Sequence, residues 1–327
     1  MPTKKPPTKA KAGKTQAASK ARRLKSDPLA ELDQQISEVI KEISRLRGNA
    51  TVLPLFLNKA SINNKTVDDV FEELRSKYGS PGSHERLDLI LESSGGNIDA
   101  AYNIGLLLRR YATKELNVLV PRWAKSAATV IACAGDKVWF TPVAEIGPVD
   151  PQIMMFNPLE ERLEEFSPLD IDSTLDLIRE EFKNGHKDLA QGLLQRLQFP
   201  LTLGSIKKSL DVGSIYITRL LKSRMLKGDN GKAANVAKCL VHDYANHGFC
   251  IEVDEASQIG LTCELLPDNQ VDALWRLRKL MNQKQEIERQ KKSKEMQEVL
   301  KNLPPELLKQ LPDLLKRGGA DNGTKPT

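Results

Sequence analysis

The sequence has 327 residues, 40% of them hydrophobic, which suffices for the core of one large α/β domain or two small ones. The net charge of +6 lies at the ends, because residues 1–28 hold nine Lys/Arg and one acid, and residues 276–327 hold 13 and seven. Residues 29–275 therefore carry about −8. This distribution argues against a nucleic-acid-binding core and leaves at most weak contact between the basic tails and nucleic acid.

The cysteines and the apolar segments indicate a cytoplasmic protein. Cys133, Cys239, Cys250 and Cys263 form no C-x-x-C pair and have no zinc-like spacing, so we expect reduced thiols. No apolar stretch approaches the length of a membrane span, and the basic N-terminus is not followed by the apolar segment of a secretory signal.

Composition divides the chain into five parts. The ends contain too little apolar surface to offset the entropy of ordering, whereas apolar residues recur at three and four positions after Pro28. We expect a disordered basic tail over 1–28, an N-terminal helix over 29–48, one globular domain over 49–270, a charged C-terminal helix over 271–303, and a proline-containing, largely disordered tail over 304–327.

Within the globular domain, strand patterns alternate with helix patterns. Strands are predicted over 51–57, 87–91, 117–120 and 137–140, and helices over 66–74 (capped by Thr66), 98–111 and 126–134, followed by a largely helical region over 160–228. This alternation predicts an α/β fold with a parallel sheet built from right-handed crossovers. Ligands in such sheets bind at the carboxyl ends of the strands.

Two motifs lie at those strand ends. Ser126 precedes an alanine-rich helix, and Gly95-Gly96 follows the strand about 30 residues earlier. A serine at this position is commonly only a helix cap, and a Gly-Gly pair is often only a tight turn. Together they can supply a hydroxyl nucleophile and backbone N–H groups that face an oxyanion, with the N–H of Ala127 at the start of the helix. The combination predicts acyl transfer.

These motifs, with Gly147-Pro148-Val149-Asp150-Pro151-Gln152 and the segment from His247 to Leu261, resemble the serine dehydrogenase proteinase family of the Clp-protease/crotonase superfamily, related to signal-peptide peptidase A. The resemblance covers residues 50–266. It implies a Clp/crotonase-like fold of repeated β-β-α/β-α units with helical extensions at both ends. It also implies Ser126 as nucleophile, and an oxyanion hole formed by Gly95 or Gly96 with the N–H of Ala127.

The general base is the point of departure from Clp protease. Where that protease has its catalytic histidine, this chain has Asp150-Pro151. Our preferred base is His247, since it precedes a strand and helix that fold back near the substrate edge in this superfamily. Asp150 is a candidate to orient it, although an Asp between prolines is also a good turn former. The remaining candidates are His242 and, in a Ser-Lys dyad like that of the signal-peptide peptidases, Lys207 or Lys208.

Three other features are assigned structural roles or left open. Lys125 adjoins the nucleophile and is expected to point away from it as a surface or salt-bridge lysine. His242 and His247 flank Asp243, but no further His or Cys has coordinating spacing, so we expect neither a metal nor a cofactor. Trp123 fits a pocket wall and the core equally well.

The sequence thus predicts a serine endopeptidase that acts on a peptide or protein substrate and, as the resemblance implies, assembles as a homo-oligomer. Two alternatives stay open. A crotonase-like enzyme would use the same glycine turn to hold an acyl-coenzyme A thioester enolate. A non-catalytic assembly protein would keep the fold without a competent base.

Overall fold

The structure is a computed structural model. It describes residues 27–58, 60–82, 84–150, 153–157, 162–166, 168–196, 203–244 and 246–303. The tail predicted over 1–28 lies outside the described residues up to position 26, and the tail predicted over 304–327 lies outside them entirely.

The fold is mixed α/β and is organised by a parallel sheet. The strands are β1 Thr51–Leu57, β2 His84–Ser93, β3 Ala112–Val120, β4 Trp123–Ala124, β5 Lys137–Phe140, β6 Glu145–Ile146, β7 Ile153–Asn157, β8 Arg162–Phe166 and β9 Cys263–Leu265. Seven of them form one sheet: β6-β4-β2-β3-β5-β9 are hydrogen-bonded neighbours in this order, and β1 pairs with β2 off this path. Every pairing in this sheet is parallel, which confirms the predicted fold class.

Ten helices accompany the strands in the described parts of the chain. They are α1 Pro28–Leu46, α2 Asn64–Tyr78, α3 Ile98–Tyr111, α4 Ala127–Ala132, α5 Pro168–Lys183, α6 Lys187–Arg196, α7 Leu203–Ser223, α8 Asn230–His242, α9 Val253–Gln258 and α10 Asp268–Asn302. None of these helices combines the length and the apolar character that crossing a bilayer requires.

Helices cover both faces of the sheet, so its central strands read as nearly continuous apolar runs. Leu89 and Leu91 of β2 point into a cluster with α3, α4, α7 and α8, whereas Ile90 points into a second cluster with α1 and α10. This alternation follows from the two-residue period of a strand. The helical extensions at the two ends of the chain therefore pack on one face of the sheet, opposite the larger cluster.

One local prediction needs correction, and a second gains a detail. The cap of α2 is Asn63 and not Thr66: the Asn63 side chain accepts from the Thr66 N–H, and the Thr66 hydroxyl accepts from the Asn63 N–H. The region 160–228 is largely helical, as expected, but within it Arg162–Phe166 forms a strand that pairs antiparallel with Ile153–Asn157. Cross-strand pairing can override the helix preference of a Glu-rich segment.

Candidate active site

Ser126 occupies a sharp corner between β4 and α4. Its backbone has φ 51° and ψ −121°, a left-handed conformation that residues with a Cβ rarely adopt. Although Ser126 stands at the capping position of α4, its side chain makes no capping hydrogen bond. The hydroxyl is therefore not committed to the helix, contrary to the simple cap interpretation, and Ser126 lines the wall of a cavity.

The Ser126 corner is stabilised by hydrogen bonds of Thr129, a residue that has no place in the sequence-based prediction of the site. Its hydroxyl is fully buried and lies 2.8 Å from the Ala124 carbonyl oxygen and 2.7 Å from the Gly147 carbonyl oxygen, so it can donate to either. The Gly147 N–H also points to this hydroxyl at 3.3 Å. A single buried side chain thus ties α4 to β4 and to the turn that leads toward Asp150.

The glycine turn packs directly against this corner. Gly95 has φ +111°, and a Cβ placed on it would lie 2.8 Å from both the Lys125 carbonyl oxygen and the Ser126 Cβ. Gly96 has φ +144°, and a Cβ there would lie 2.4 Å from the Ile62 carbonyl oxygen. Both conformation and space therefore demand glycine at these two positions.

The hydrogen bonds of the turn distinguish the two glycine N–H groups. Gly95 donates to the Ser93 hydroxyl at 3.1 Å, and its carbonyl accepts from Ile62 N–H at 2.9 Å. The peptide bond is trans, so the N–H of Gly96 points opposite to that carbonyl, away from Ile62. Ile62 lies on the β1 side of β2, and β4 lies on the other side. The Gly96 N–H therefore faces the Ser126 side of the turn.

Ala127 supplies a second N–H at the same corner. It is the first residue of α4, so its N–H has no carbonyl partner within the helical pattern. The next two N–H groups, of Ala128 and Thr129, are bonded to the carbonyls of Lys125 and Ser126 at 2.9 Å each. Of the first three N–H groups of α4, these bonds therefore leave available only the one beside the serine, that of Ala127.

Asp150 and His247 form a hydrogen-bonded pair. The distance between Asp150 Oδ1 and His247 Nδ1 is 2.5 Å, with the Asp150 side chain 3% exposed and the His247 side chain 34% exposed. A backbone bond from Val149 N–H to the Leu240 carbonyl, 2.8 Å long, fixes the segment just before Asp150. The loop of His247 is anchored by two backbone bonds between Ile146 and Ile251.

Ser126, Ala127, the glycine turn and the Asp150–His247 pair line one cavity of about 520 Å³. It is lined by Ser61, Ser94, Gly95, Gly96, Asn97, Ile98, Ser126, Ala127, Val149, Asp150 and His247. All six residues that the sequence analysis placed in the site lie on this wall. The described residues show no hydrogen bond between the Ser126 hydroxyl and the His247 ring, and such bonds are often long until substrate binds.

The other candidate bases have different surroundings. Lys125 Nζ lies 3.1 Å from Glu145 Oε1 and donates to the Phe249 carbonyl at 2.8 Å. His242 ends α8, where its Nε2 is 3.4 Å from the Ser214 hydroxyl. Lys208 is exposed on α7, and the Lys207 side chain lies outside the description. Lys125, His242 and Lys208, the described members of this group, do not line the cavity around Ser126.

Among the residues described, no group of three or more His, Cys, Asp or Glu side chains is arranged to hold a metal ion. Trp123 lines neither the cavity nor the main core. Its ring lies under the guanidinium groups of Arg122 and Arg278, at 5.5 and 5.2 Å from the ring centroid. The sequence predicts a pocket wall or a core position for Trp123, but no local pattern indicates its arginine partners.

Comparison with known proteins connects this geometry to a family. The model of the family described as "ClpP-like SDH-type serine proteinase" matches residues 16–180, about half of the chain. The matched region contains Gly95, Gly96, Ser126 and Asp150 and ends before His247.

Two similar proteins come from Methanocaldococcus jannaschii. The uncharacterized protein MJ0137 is 28% identical over 251 residues, which cover 74% of this chain and 78% of that protein. The uncharacterized protein MJ1495 is 27% identical over 229 residues, which cover 68% of this chain and 69% of that protein.

Solved structures that are similar to this chain include the following two. An alanine variant of the 1510-N membrane-bound stomatin-specific protease superposes with a TM-score of 0.43 at 16% identity, covering 67% of this chain and 80% of that one. A ClpP1 variant from Listeria monocytogenes superposes with a TM-score of 0.36 at 12% identity, covering 70% of this chain and 99% of that one.

Proposed function

Because this chain belongs to the family of ClpP-like SDH-type serine proteinases, we propose that it is a serine endopeptidase whose nucleophile is Ser126. One observation carries the proposal: the Asp150–His247 pair, Ser126 and the glycine turn line the same cavity. A nucleophile, a candidate base with an orienting carboxylate and oxyanion donors are the parts that acyl transfer requires.

In the proposed reaction, His247 activates Ser126. Its Nδ1 faces the buried Asp150 carboxylate, so the Nδ1 proton is held there and Nε2 is left as the basic nitrogen. Nε2 takes the hydroxyl proton as Ser126 Oγ attacks the peptide carbonyl carbon, and it returns this proton to the leaving amine. Water then hydrolyses the acyl-enzyme by the same route and regenerates the serine.

The N–H groups of Gly96 and Ala127 are proposed as the oxyanion hole. The Gly96 N–H points to the Ser126 side of the turn, and the Ala127 N–H has no partner within its helix. Removing one such donor typically costs about 2.7–4 kcal/mol of transition-state stabilisation. Gly95, whose N–H is bonded to Ser93, has a different role in this account: it keeps the turn in contact with the serine corner.

Hydrolysis of a fluorescently labelled casein by the purified chain tests this function. We expect activity that is lost in Ser126→Ala and kept in the matched variant Ser94→Ala, which removes an exposed hydroxyl on the same cavity wall. Saturable acyl-coenzyme A binding without proteolysis would instead support the crotonase-like alternative. Absence of turnover on proteins and esters, with the chain folded, would support the non-catalytic assembly protein.

We further propose that the peptidase assembles as a homo-oligomer through the α5–α6 face. Leu177, Phe182, Leu189 and Leu194 on these helices are between 52% and 57% exposed. Apolar side chains concentrated on one surface commonly mark a protein interface. Light scattering after size-exclusion chromatography should give a mass several times 36.4 kDa, and Phe182→Glu should lower it. A monomeric wild type would contradict this assembly.

A further inference from the structure

The cluster around Arg278 connects the C-terminal helix to the two strands that carry the proposed active site. Arg278 is a residue of α10, and its Nε lies 2.8 Å and 3.0 Å from the two carboxylate oxygens of Glu92. The Glu92 side chain is 0% exposed and the Arg278 side chain 16% exposed. Glu92 belongs to β2 and stands three positions before Gly95.

The same guanidinium also contacts β4. Its central carbon lies 5.2 Å from the ring centroid of Trp123, three positions before Ser126, and 4.9 Å from that of Trp275, one helical turn earlier on α10. At these distances the guanidinium is attracted to both indole rings by cation–π interaction. Arg278 therefore touches one residue of each strand that leads into the site.

A third contact comes from the segment after β1. The Asn58 amide donates to Glu92 Oε1 at 2.7 Å and lies 2.6 Å from the Asn282 side-chain oxygen. Trp275, Arg278 and Asn282 have the spacing of one helix face. The buried carboxylate is therefore approached from α10 and from the segment after β1 together.

The two strands themselves are joined just beyond this cluster. Ser93 pairs with Ala124, and the Lys125 N–H donates to the Ser93 carbonyl at 3.0 Å. The next residues on each side form the glycine turn and the Ser126 corner, which are so close that a Cβ on Gly95 would lie 2.8 Å from the Ser126 Cβ. A shift of β2 against β4 would thus change the position of the oxyanion donors relative to the nucleophile.

We propose that Arg278 is a positioning residue that fixes β2 and β4 relative to each other through Glu92 and Trp123, and thereby sets the geometry of Ser126 and the glycine turn. The inference rests on the proposed serine-peptidase function. Arg278 acts on the reaction only through these two residues. The negative charge of Glu92 contributes to this positioning, because a buried carboxylate that lacks its cation strongly destabilises the folded state.

The chemistry of the pair gives the test a pH dependence. Burial raises the pKa of Glu92, and the hydrogen bond and charge of Arg278, the Asn58 amide and the charge of Arg122 oppose that rise. Removing Arg278 therefore raises the pKa of Glu92 further. The lone carboxylate is neutralised as the pH falls, so the defect of an Arg278 variant should shrink at low pH and grow as the pH rises.

The experiment measures how fast a fluorophosphonate probe labels the full chain at a series of probe concentrations. This dependence gives two constants, the maximal labelling rate constant and the half-saturating probe concentration. We expect Arg278→Met to lower the maximal rate about tenfold, as expected for a displaced reacting group, and to leave the half-saturating concentration within about twofold. The maximal labelling rate of Arg278→Met, divided by that of the wild type at the same pH, should increase as the pH is lowered from 8 to 6.

The matched control is Arg276→Met, which removes a partly exposed ion pair to Glu42 from the same helix. The rescue is the double variant Glu92→Gln, Arg278→Met, which removes both charges and should label within about threefold of wild type at all pH values. If Arg278→Met does not fold, Arg278→Lys takes its place. It keeps the charge but loses the planar stacking, so its maximal labelling rate should be lower than that of the wild type by less than the tenfold expected for Arg278→Met.

Two outcomes would overturn the proposal. One is a maximal rate for folded Arg278→Met or Arg278→Lys equal to that of Arg276→Met. The other is a rate defect that is independent of pH and unrelieved in the double variant, since this would assign the loss to packing alone. Failure of the wild type to react at Ser126 is a separate result that overturns the proposed function itself.

Discussion

Asp150 and His247, 97 positions apart in the sequence, meet at 2.5 Å between Oδ1 and Nδ1. The carboxylate is 3% exposed, and the imidazole is one-third exposed at the wall of the Ser126 cavity. A buried acceptor on Nδ1 fixes the tautomer and the orientation of the ring, which is the role of the carboxylate in a serine–histidine–aspartate triad. In this chain the aspartate follows β6, and the histidine comes from the loop between α8 and α9.

The pair predicts graded losses of activity. Asp150→Asn should lower kcat by up to about 10⁴-fold with little change in KM, because the amide cannot hold the same tautomer. His247→Gln should be at least as inactive. His242→Gln is the control, since His242 lies beside Ser214 and away from the cavity. Steady-state kinetics on an ester substrate give both constants, and a loss in His242→Gln equal to that in His247→Gln would refute the assignment.

The backbone of Ser126 predicts an effect on stability. With φ at 51°, any residue that has a Cβ is strained there, whereas glycine is not. Ser126→Gly should therefore be about 1 kcal/mol more stable than Ser126→Ala, and both should be inactive. Urea unfolding of the two variants measures the difference. A Ser126→Ala variant as stable as Ser126→Gly would show that the corner is not strained.

The two glycines predict defects through different contacts. In Gly95→Ala the new methyl group meets the Ser126 Cβ and the Lys125 carbonyl oxygen, so a loss of stability should accompany the loss of activity. In Gly96→Ala it meets the Ile62 backbone, which cannot move easily, so a stability loss of about 1–3 kcal/mol should accompany the loss of activity. Thermal unfolding and ester hydrolysis, measured on both variants, separate the two effects. Full activity in either variant would contradict the observed close packing.

Lys125 predicts a change in acid stability. Burial raises the pKa of Glu145, but hydrogen bonds from Cys250 and Lys125 and the charges of Lys125 and Arg122 outweigh it and hold this pKa below its ordinary value of 4.5. A lowered carboxyl pKa stabilises the folded state above the unfolded pKa, and this contribution is lost as the pH falls through the folded-state pKa.

Lys125→Met should therefore lower the free energy of unfolding at pH 7 by about 1–3 kcal/mol. It should also flatten the fall of that free energy below pH 4.5. Urea titrations at pH 7 and pH 4 measure both effects. An unchanged stability at pH 7 combined with loss of proton abstraction from Ser126 would instead make Lys125 the base, as in a Ser-Lys dyad.

The nucleophile corner and the glycine turn could be predicted from sequence because each is local. A strand, a small-residue turn and a helix within a dozen positions define where Ser126 and Gly96 lie in a parallel sheet. The helix Ile98–Tyr111 and the strand Lys137–Phe140 have the predicted bounds for the same reason. The missed strands depend on their pairing partners: Arg162–Phe166 pairs with the neighbouring segment Ile153–Asn157, and Cys263–Leu265 pairs with β5, which lies far earlier in the chain.

Residues that act through tertiary contacts gave no local signal. Trp123 and Glu92 meet Arg278 about 150 or more positions later in the chain, and no motif spans that distance. Asp150 and His247 are candidates through the family resemblance and not through a local motif, and the backbone bonds between Ile146 and Ile251 anchor the His247 loop in the folded chain. The Gly96 N–H is preferred over the Gly95 N–H as the oxyanion donor because the Ile62 N–H bonds to the Gly95 carbonyl. This bond forms only in the folded chain.

The central claim is that Ser126 is the nucleophile, and mass-spectrometric mapping of a fluorophosphonate adduct on the full chain tests it most directly. The account predicts one adduct per chain, located on the peptide that contains Ser126, with labelling that is lost in Ser126→Ala and strongly slowed in His247→Gln. An adduct on another residue, or equal labelling of wild type and Ser126→Ala, would contradict it.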